Sequence, residues 1–554
     1  MGKIRTSLLS ILMIFLAFGL WAGGQQASEP ASDKQIEGLN SNPLSDYRVR
    51  QAIAYAIDMD TIAETLLEGK ALVSNSMVPN GPWKADGLNS YSYDPEMAKS
   101  LLKEAGWDSS YTLDVVYYYG DQLTVDIMTA VQAYLGGVGI KMDFRKLEGD
   151  LGEQLWTNPS DPVNGPSYVK WDMAYAGSAA LAMHEYYGKL PTNGPGNSHT
   201  PSNPTIDKLV AATKATANIV EQQKAFFALE EYVNEYLPLI PLYYQQLFIY
   251  ESDRVNRNGG AYGNAQYNYD WGILDWTVEA DSNGKHVLYT NTAPVEFFEH
   301  PWFNPGLNMA NKVLFDRLIV ADESLMAKEG QLASSFKVSD DSMEIEFTLE
   351  DGAKWHDGSA ITADDIKWSI EYALKVPAIH SVFSTTFKSI EGADAYVSGT
   401  ADSISGIAVN GNKVKVTFAT LDPNMLLTFS QFPPLPKKYF ENSDPLQFQQ
   451  NSFWQSPVGS GPFKIKTVEM NDYTVAVPFE SYYGGTAKID EIVMYPSGEN
   501  DTNVIKNASA GKLDYGFTKS VADVKALEAM ENMRVIPVDI PYTRLFYVNK
   551  FPKP

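Results

Sequence analysis

The sequence has no cysteine among its 554 residues, which excludes disulfides, thiolate nucleophiles and thiolate-bound metals at once. Positive charge is also scarce. Lys and Arg total 43 against 68 Asp and Glu, leaving a net charge of −25. Such a field repels nucleic acid and anionic membrane, so neither is expected as a partner. Histidine occurs six times, as His184, His199, His286, His300, His356 and His380, and never in HExxH or another paired ligand spacing. We therefore expect no metal and no cofactor. There is no GxSxG elbow, and the glycine-rich stretch FWQSPVGSGPF lacks the Gly-Lys-Ser of a phosphate loop. Adjacent carboxylates such as Asp364–Asp365 and Glu230–Glu231 fall on predicted helices, where they read as caps and solvated faces rather than glycosidase acids. Nothing in the chain calls for catalysis.

Long apolar runs are missing too, with one short exception. Leu8 to Ala22, behind Lys3 and Arg5, is about 15 residues, short of the roughly 20 that cross a bilayer. With the small Ala22-Gly23-Gly24 after it, this reads as a secretory signal over 1–24, followed by a polar linker over 25–40. No cysteine is present for lipidation, so the product is expected to be exported and soluble.

What remains is too long for one core and should divide into lobes. Aromatic residues are plentiful, with 32 Tyr and 11 Trp, a surplus that suits stacking on sugars or peptides. The most informative stretch is MEIEFTLEDGAKWHDGSAITADDIKWSIEYALK, from Met343 to Lys375. Met343, Ile345, Phe347 and Leu349 alternate with polar residues, the period of a half-buried strand. Asp351-Gly352 and Asp357-Gly358 are turn signals around Trp355 and His356. Thr362, three residues before Asp365, then opens a helix with Ile366, Ile370, Ala373 and Leu374 on one face, and Pro377 ends it.

This strand–turn–WHDG–turn–helix unit resembles the signature of family 5 extracellular solute-binding proteins. They are the dipeptide-, oligopeptide-, nickel- and oligosaccharide-capturing subunits of ABC importers. The stretch SDYRVRQAIAYAID from Ser45, the LPLIPLYYQQ segment, HVLYTNTAPVEFF, the run from Val313 to Leu318, FWQSPVGSGPF and TRLFYVNKFPKP are all similar to the family as well. Their order differs. The family's second half stands first, over about 40–280, and its first half follows, over about 281–554. The resemblance therefore implies a circular permutation, or a trimmed or truncated tandem. IEGLNSNPLSD near the start and RLFYVNKFPKP at the end both look like the same hinge strand.

The implied fold is α/β: two periplasmic-binding-protein-like lobes with an extra subdomain and permuted halves. Residues 41–240 are expected to form one lobe, 241–325 and 456–554 the core lobe with a hinge strand, and 326–455 the inserted subdomain. Within the first lobe, Asp94-Pro95 signals a helix, and Tyr111 to Lys146 reads as a βαβ unit with parallel strands. A permuted chain is expected to cross between lobes once, near 240–250, and its lobes to close more freely unless residues 36–46 pair beside 542–550.

The family's peptide binders hold the ligand ammonium with an aspartate that follows a D-M-A segment. Asp172-Met173-Ala174 matches the segment, but YAGSAALAMHEYYGK follows, without aspartate or proline. Trp171, Tyr175, His184, Tyr186 and Tyr187 are instead the candidate ligand-binding residues of this lobe. Glu296, Trp454 and Ser460 are the candidates of the other. The function implied is capture of a peptide or oligosaccharide by a monomer that delivers it to the permease subunits of an ABC importer. A secreted carbohydrate-active enzyme and a chemosensory solute-binding protein are the alternatives.

Overall fold

The computed structural model describes residues 42–180, 182–260, 272–293, 298, 300–303, 309–322, 326–377, 379–496 and 503–554. The secretory signal and its linker lie outside them.

The first lobe begins with α1 (Tyr47–Ala56), capped by Asp46, whose carboxylate accepts from the Arg48 N–H at 2.9 Å. Val49, Ala52, Ile53 and Ala56 face inward, as their spacing predicts. α2 (Pro95–Ala105) starts on proline and stops at Gly106, which takes the left-handed conformation at φ 70°. β1 (Thr112–Tyr117), α3 (Gln122–Gly137) and β2 (Lys141–Lys146) form the βαβ unit, with Thr112 opposite Lys141 in parallel register. β3 (Met173–Ala179) joins the other side of β1. α4 (Ile219–Tyr236) then packs against this lobe and leads into β4 (Leu239–Ser252). The buried Arg50 of α1 donates to the carbonyls of Tyr236 and Leu237 at 2.6 and 2.7 Å. It thus satisfies orphan acceptors at the negative end of α4.

Glu230 of α4 departs from its expected solvated face. It is 1% exposed and accepts from the Ser76 hydroxyl and, at 2.7 Å, from the Ala85 N–H. Its neighbour Glu231 takes the solvated face.

After β5 (Val287–Ala293) comes the inserted subdomain. β6 (Ala333–Val338), β7 (Glu344–Leu349), β8 (Ile407–Asn410) and β9 (Lys413–Thr417) form an antiparallel sheet in the order β6-β7-β9-β8. Ile345, Phe347 and Leu349 of β7 are buried, the predicted alternation. α5 (Ala363–Ala373) opens on the capping box: Asp365 N–H donates to Thr362 Oγ1 at 3.2 Å, and Thr362 N–H to Asp365 Oδ2 at 2.9 Å.

The chain closes with β10 (Phe463–Glu469), β11 (Tyr473–Pro478), β12 (Glu491–Pro496), β13 (Tyr515–Thr518), α6 (Val521–Glu528) and β14 (Met533–Val548). One large sheet joins both lobes in the order β10-β11-β12-β5-β13-β4-β14-β3-β1-β2, with Ala71–Val73 also paired to β4. The antiparallel pair β4 and β14 forms its spine. Their pairing is interrupted between Asp539 and Thr543. On one side Met533–Asp539 faces Gln246–Ser252 beside the core-lobe strands. On the other Thr543–Tyr547 faces Leu239–Tyr244 beside β3.

Both strands therefore pass from lobe to lobe, and the expectation of a single crossing is corrected. The reason is that the tail after β14 is anchored in the first lobe. Asn549 N–H donates to Asp172 O at 2.8 Å, Lys550 N–H to His199 O at 2.8 Å, and Lys553 pairs with the buried Asp172 carboxylate at 2.8 Å. Asn42, the first described residue, donates through Nδ2 to the carbonyls of Asn549 and Phe551 at 2.9 and 2.7 Å. The beginning of the described chain thus lies beside its end.

Candidate functional site

The WHDG motif is a structural fastener. Gly352 and Gly358 take positive φ of 75° and 86°, which turns the chain twice within seven residues and presents His356 to the 459–461 loop. Gly459 N–H donates to His356 Nδ1 at 3.1 Å, so the ring proton sits on Nε2 and is donated to Gly461 O at 3.0 Å. Burial pushes the His356 pKa down to about 4 and keeps the ring neutral. A Cβ at Gly459 or Gly461 would collide with the carbonyl of Leu314 or Val313, which explains both glycines. Ser460 Oγ accepts from the Asp316 N–H at 3.0 Å inside the same junction.

A cavity of about 940 Å³ opens where β4 and β14 cross between the lobes. The first lobe supplies the loop Leu66–Ala71 and the start of α3. The core lobe supplies Lys519 to Lys525 at the start of α6. The two spine strands provide Tyr243, Gln245, Gln246, Phe248, Tyr542 and Arg544.

Arg544 is the centre of the wall. Its guanidinium carbon lies 3.8 Å from the ring centroid of Tyr119, 5.0 Å from that of Tyr542 and 5.9 Å from that of Tyr175. The phenols are themselves linked: Tyr118 to Tyr119 at 2.9 Å, Tyr119 to Tyr542 at 3.2 Å, and Tyr175 to Tyr243 at 2.7 Å. Burial disfavours the Arg544 charge, but Tyr175, Tyr243, Tyr542 and Tyr119 around it outweigh that and hold its pKa above the ordinary arginine value. Gly177 on β3 makes room for this arrangement, because a Cβ there would collide with the Tyr542 phenol.

Two ion pairs bridge the lobes at the cavity edge. Lys70 meets Glu528 at 2.6 Å, and Lys525 meets Glu68 at 2.6 Å.

Of the residues singled out in the sequence, Tyr175 reaches the cavity wall. Trp171, Tyr186 and Tyr187 pack in the core of the first lobe, and the Trp171 indole donates to Gln154 O at 3.0 Å. Trp454 is fully buried in the other lobe, donating to Phe448 O at 3.0 Å. Ser460 serves the His356 junction. His184 lies in the short turn Met183–Glu185, with its side chain outside the described residues, as is Glu296. The structure does not gather these residues into one site.

The wall residues that sequence reading missed are Tyr119, Tyr243, Tyr542 and Arg544. One signal was available. By strand alternation Arg544 shares a face with Phe546 and Val548, both buried, so it is a cation on an otherwise apolar face.

The model of the bacterial extracellular solute-binding proteins, family 5 Middle, matches residues 23–196 and 328–551, well over half of the chain. The chain belongs to this family. It is a family of solute-binding proteins and not of enzymes, in keeping with a sequence that carries no catalytic motif. The oligopeptide-binding protein OppA of Bacillus subtilis is 27% identical over 248 residues, covering 42% of this chain and 43% of that one. The dipeptide-binding protein of Escherichia coli is 37% identical over 78 residues, 14% of this chain and 15% of that one. Among solved structures, the oligopeptide-binding protein AppA of Bacillus subtilis, in complex with a nonapeptide, is 22% identical. That match has a TM-score of 0.37 and covers 45% of this chain and 46% of AppA. The family 5 chain spans about two fifths of the length of curated relatives it matches. No described helix is long and apolar enough to cross a membrane.

Proposed function

We propose that the chain is the exported, monomeric solute-capturing component of an ABC importer. Its lobes close over a short peptide, and the loaded protein delivers that peptide to the membrane permease subunits. One observation carries this reading: a cavity of about 940 Å³ whose wall comes from both lobes and from the two strands joining them. A solute there contacts both lobes at once, so its binding energy goes into the closed state. Micromolar capture needs roughly 8 kcal/mol in total. The names of the matched relatives, a dipeptide- and an oligopeptide-binding protein, support a peptide as the solute.

An oligosaccharide is the second reading, favoured by the number of tyrosines on the wall, Tyr119, Tyr175, Tyr243 and Tyr542.

The permuted order belongs to the same proposal. It is supported by the two separate matched stretches and by the contacts of Asn42 with Asn549 and Phe551. Joining parental ends that lie together on one lobe leaves packing intact. Native mass spectrometry of the purified protein tests the solute. A spread of mixed peptide masses is expected, a ladder of equal sugar increments would establish the second reading, and retention of neither would count against capture.

A further inference from the structure

The turn that follows β3 is rooted in one lobe and reaches into the other. Met183, Tyr186 and Tyr187 are buried in the core of the first lobe. Two residues of the same stretch point the opposite way. Ala182 is fully buried in the apolar cluster that the core lobe and the inserted subdomain share. Glu185 Oε1 accepts from the Ser381 hydroxyl of the inserted subdomain at 2.8 Å. The carboxylate is also fixed over its own turn, because Oε2 accepts from the Ala182 N–H at 3.3 Å.

Ser381 opens the eight-residue helix Ser381–Lys388. The His380 N–H donates to Trp302 O at 2.9 Å and ties the helix start to the core lobe. The first turn carries no acidic residue, and the cap is the His380 ring, whose Nδ1 accepts from the Val382 N–H at 3.3 Å. A nitrogen that accepts carries no proton. Burial holds the His380 pKa below its ordinary value, although Glu185 pulls the other way, so the cap stays neutral. The positive end of this helix thus has no negative charge from its own cap or first turn. The carboxylate that meets it comes from the other lobe, a favourable placement.

We infer that Glu185 and Ser381 form a latch that engages when the lobes close, so that retention of the solute depends on a contact away from it. The inference rests on the capture reading above and adds a conformational device to it. Neither residue belongs to the wall of the 940 Å³ cavity. Parting the lobes about β4 and β14 separates a carboxylate on one from a helix start on the other. A contact made in the closed arrangement alone lowers the cost of closing that the solute must otherwise meet. Its loss is felt mainly as faster release.

The test uses the full chain, a mixed tripeptide library as probe, and native mass spectrometry after dilution to follow release. Glu185→Gln and Ser381→Ala should each release tripeptides about 3- to 10-fold faster, with association little changed. Ser381→Thr, which keeps the hydroxyl, should release them at the unaltered rate. The double variant should be no faster than either single one, because each change breaks the same contact. Small-angle scattering of the solute-free singles should show a larger radius of gyration at an unchanged melting temperature. Multiplying effects in the double variant would mean that Glu185 acts on something other than Ser381, and they overturn the latch while capture stands. Unaltered release rates in both singles overturn it too. Failure of the unaltered chain to retain any tripeptide overturns peptide capture instead. Scattering then decides the latch: expansion in both singles upholds it, and an unchanged profile overturns it.

Discussion

Replacing His356 with alanine should loosen the joint between the inserted subdomain and the core lobe. The imidazole makes two hydrogen bonds to the 459–461 loop, at 3.1 and 3.0 Å, and its ring centroid lies 5.1 Å from that of Phe479 in an edge contact. Without it the Gly459 N–H loses its partner beside the Leu314 carbonyl, at a cost of about 1–3 kcal/mol. Loss of the second bond and the ring contact brings the expected total to about 3 kcal/mol at pH 7.5. The pH dependence gives an independent handle. The folded pKa, about 4, lies below the unfolded value near 6.5, so the unfolded chain takes up the proton first. The stability owed to this group is fully present above pH 6.5 and is lost as pH falls from there to 4. The loss amounts to about 3 kcal/mol at pH 4. Urea unfolding of both proteins at pH 7.5, 5.5 and 4 should therefore show the gap between them shrinking towards zero. A gap independent of pH, or one below about 1 kcal/mol at pH 7.5, would refute the reasoning.

Three other expectations follow from the same packing. Burial raises the Glu230 pKa to about 7, so its favourable contribution is fully present below about pH 4.5 and is lost as pH rises through 7. Glu230→Gln should then melt above the unaltered protein at pH 8, with the advantage gone by pH 5; a constant offset would argue against it. The double change Lys70→Gln, Lys525→Gln removes both pairs that bridge the lobes, each half-exposed and worth ~0.2–1 kcal/mol. Small-angle scattering of the solute-free protein should show a larger radius of gyration, and an unchanged profile would mean the pairs do not hold the lobes. Gly177→Ala should force the Tyr542 ring off the wall and weaken solute binding about 10-fold with little change in melting temperature. Unchanged affinity would place the solute away from Tyr542.

Local elements were legible because each is specified by residues close in sequence. The capping box at Thr362, the alternation of β7, the Gly106 stop and the βαβ unit from Thr112 to Lys146 all rest on short-range signals. The spine was read less well. The end of β14 reads in sequence as a hinge strand, but only long-range pairs show that the tail after it is held in the first lobe. Asn549 with Asp172 and Lys550 with His199 are such pairs.

The site shows the same division. The aromatic loop from 156 to 200 was rich enough to suggest stacking faces, but Trp156, Trp171, His199 and Tyr547 use theirs on one another. The aromatics that line the cavity come from the loop after β1 and from β3, β4 and β14, which meet only in the folded sheet. Glu230 was misjudged for a related reason. Its partners Ser76 and Ala85 lie about 150 residues away in sequence, beyond the reach of helical periodicity.

Hydrogen–deuterium exchange of the full chain, with and without the solute recovered from it, tests the central claim most directly. Segments 66–71, 119–127 and 519–525 should all gain protection together, because one solute touches both lobes at the strand crossing. Protection confined to one lobe, or gained elsewhere with these three segments unchanged, would contradict the claim that the cavity between β4 and β14 is where the solute is held.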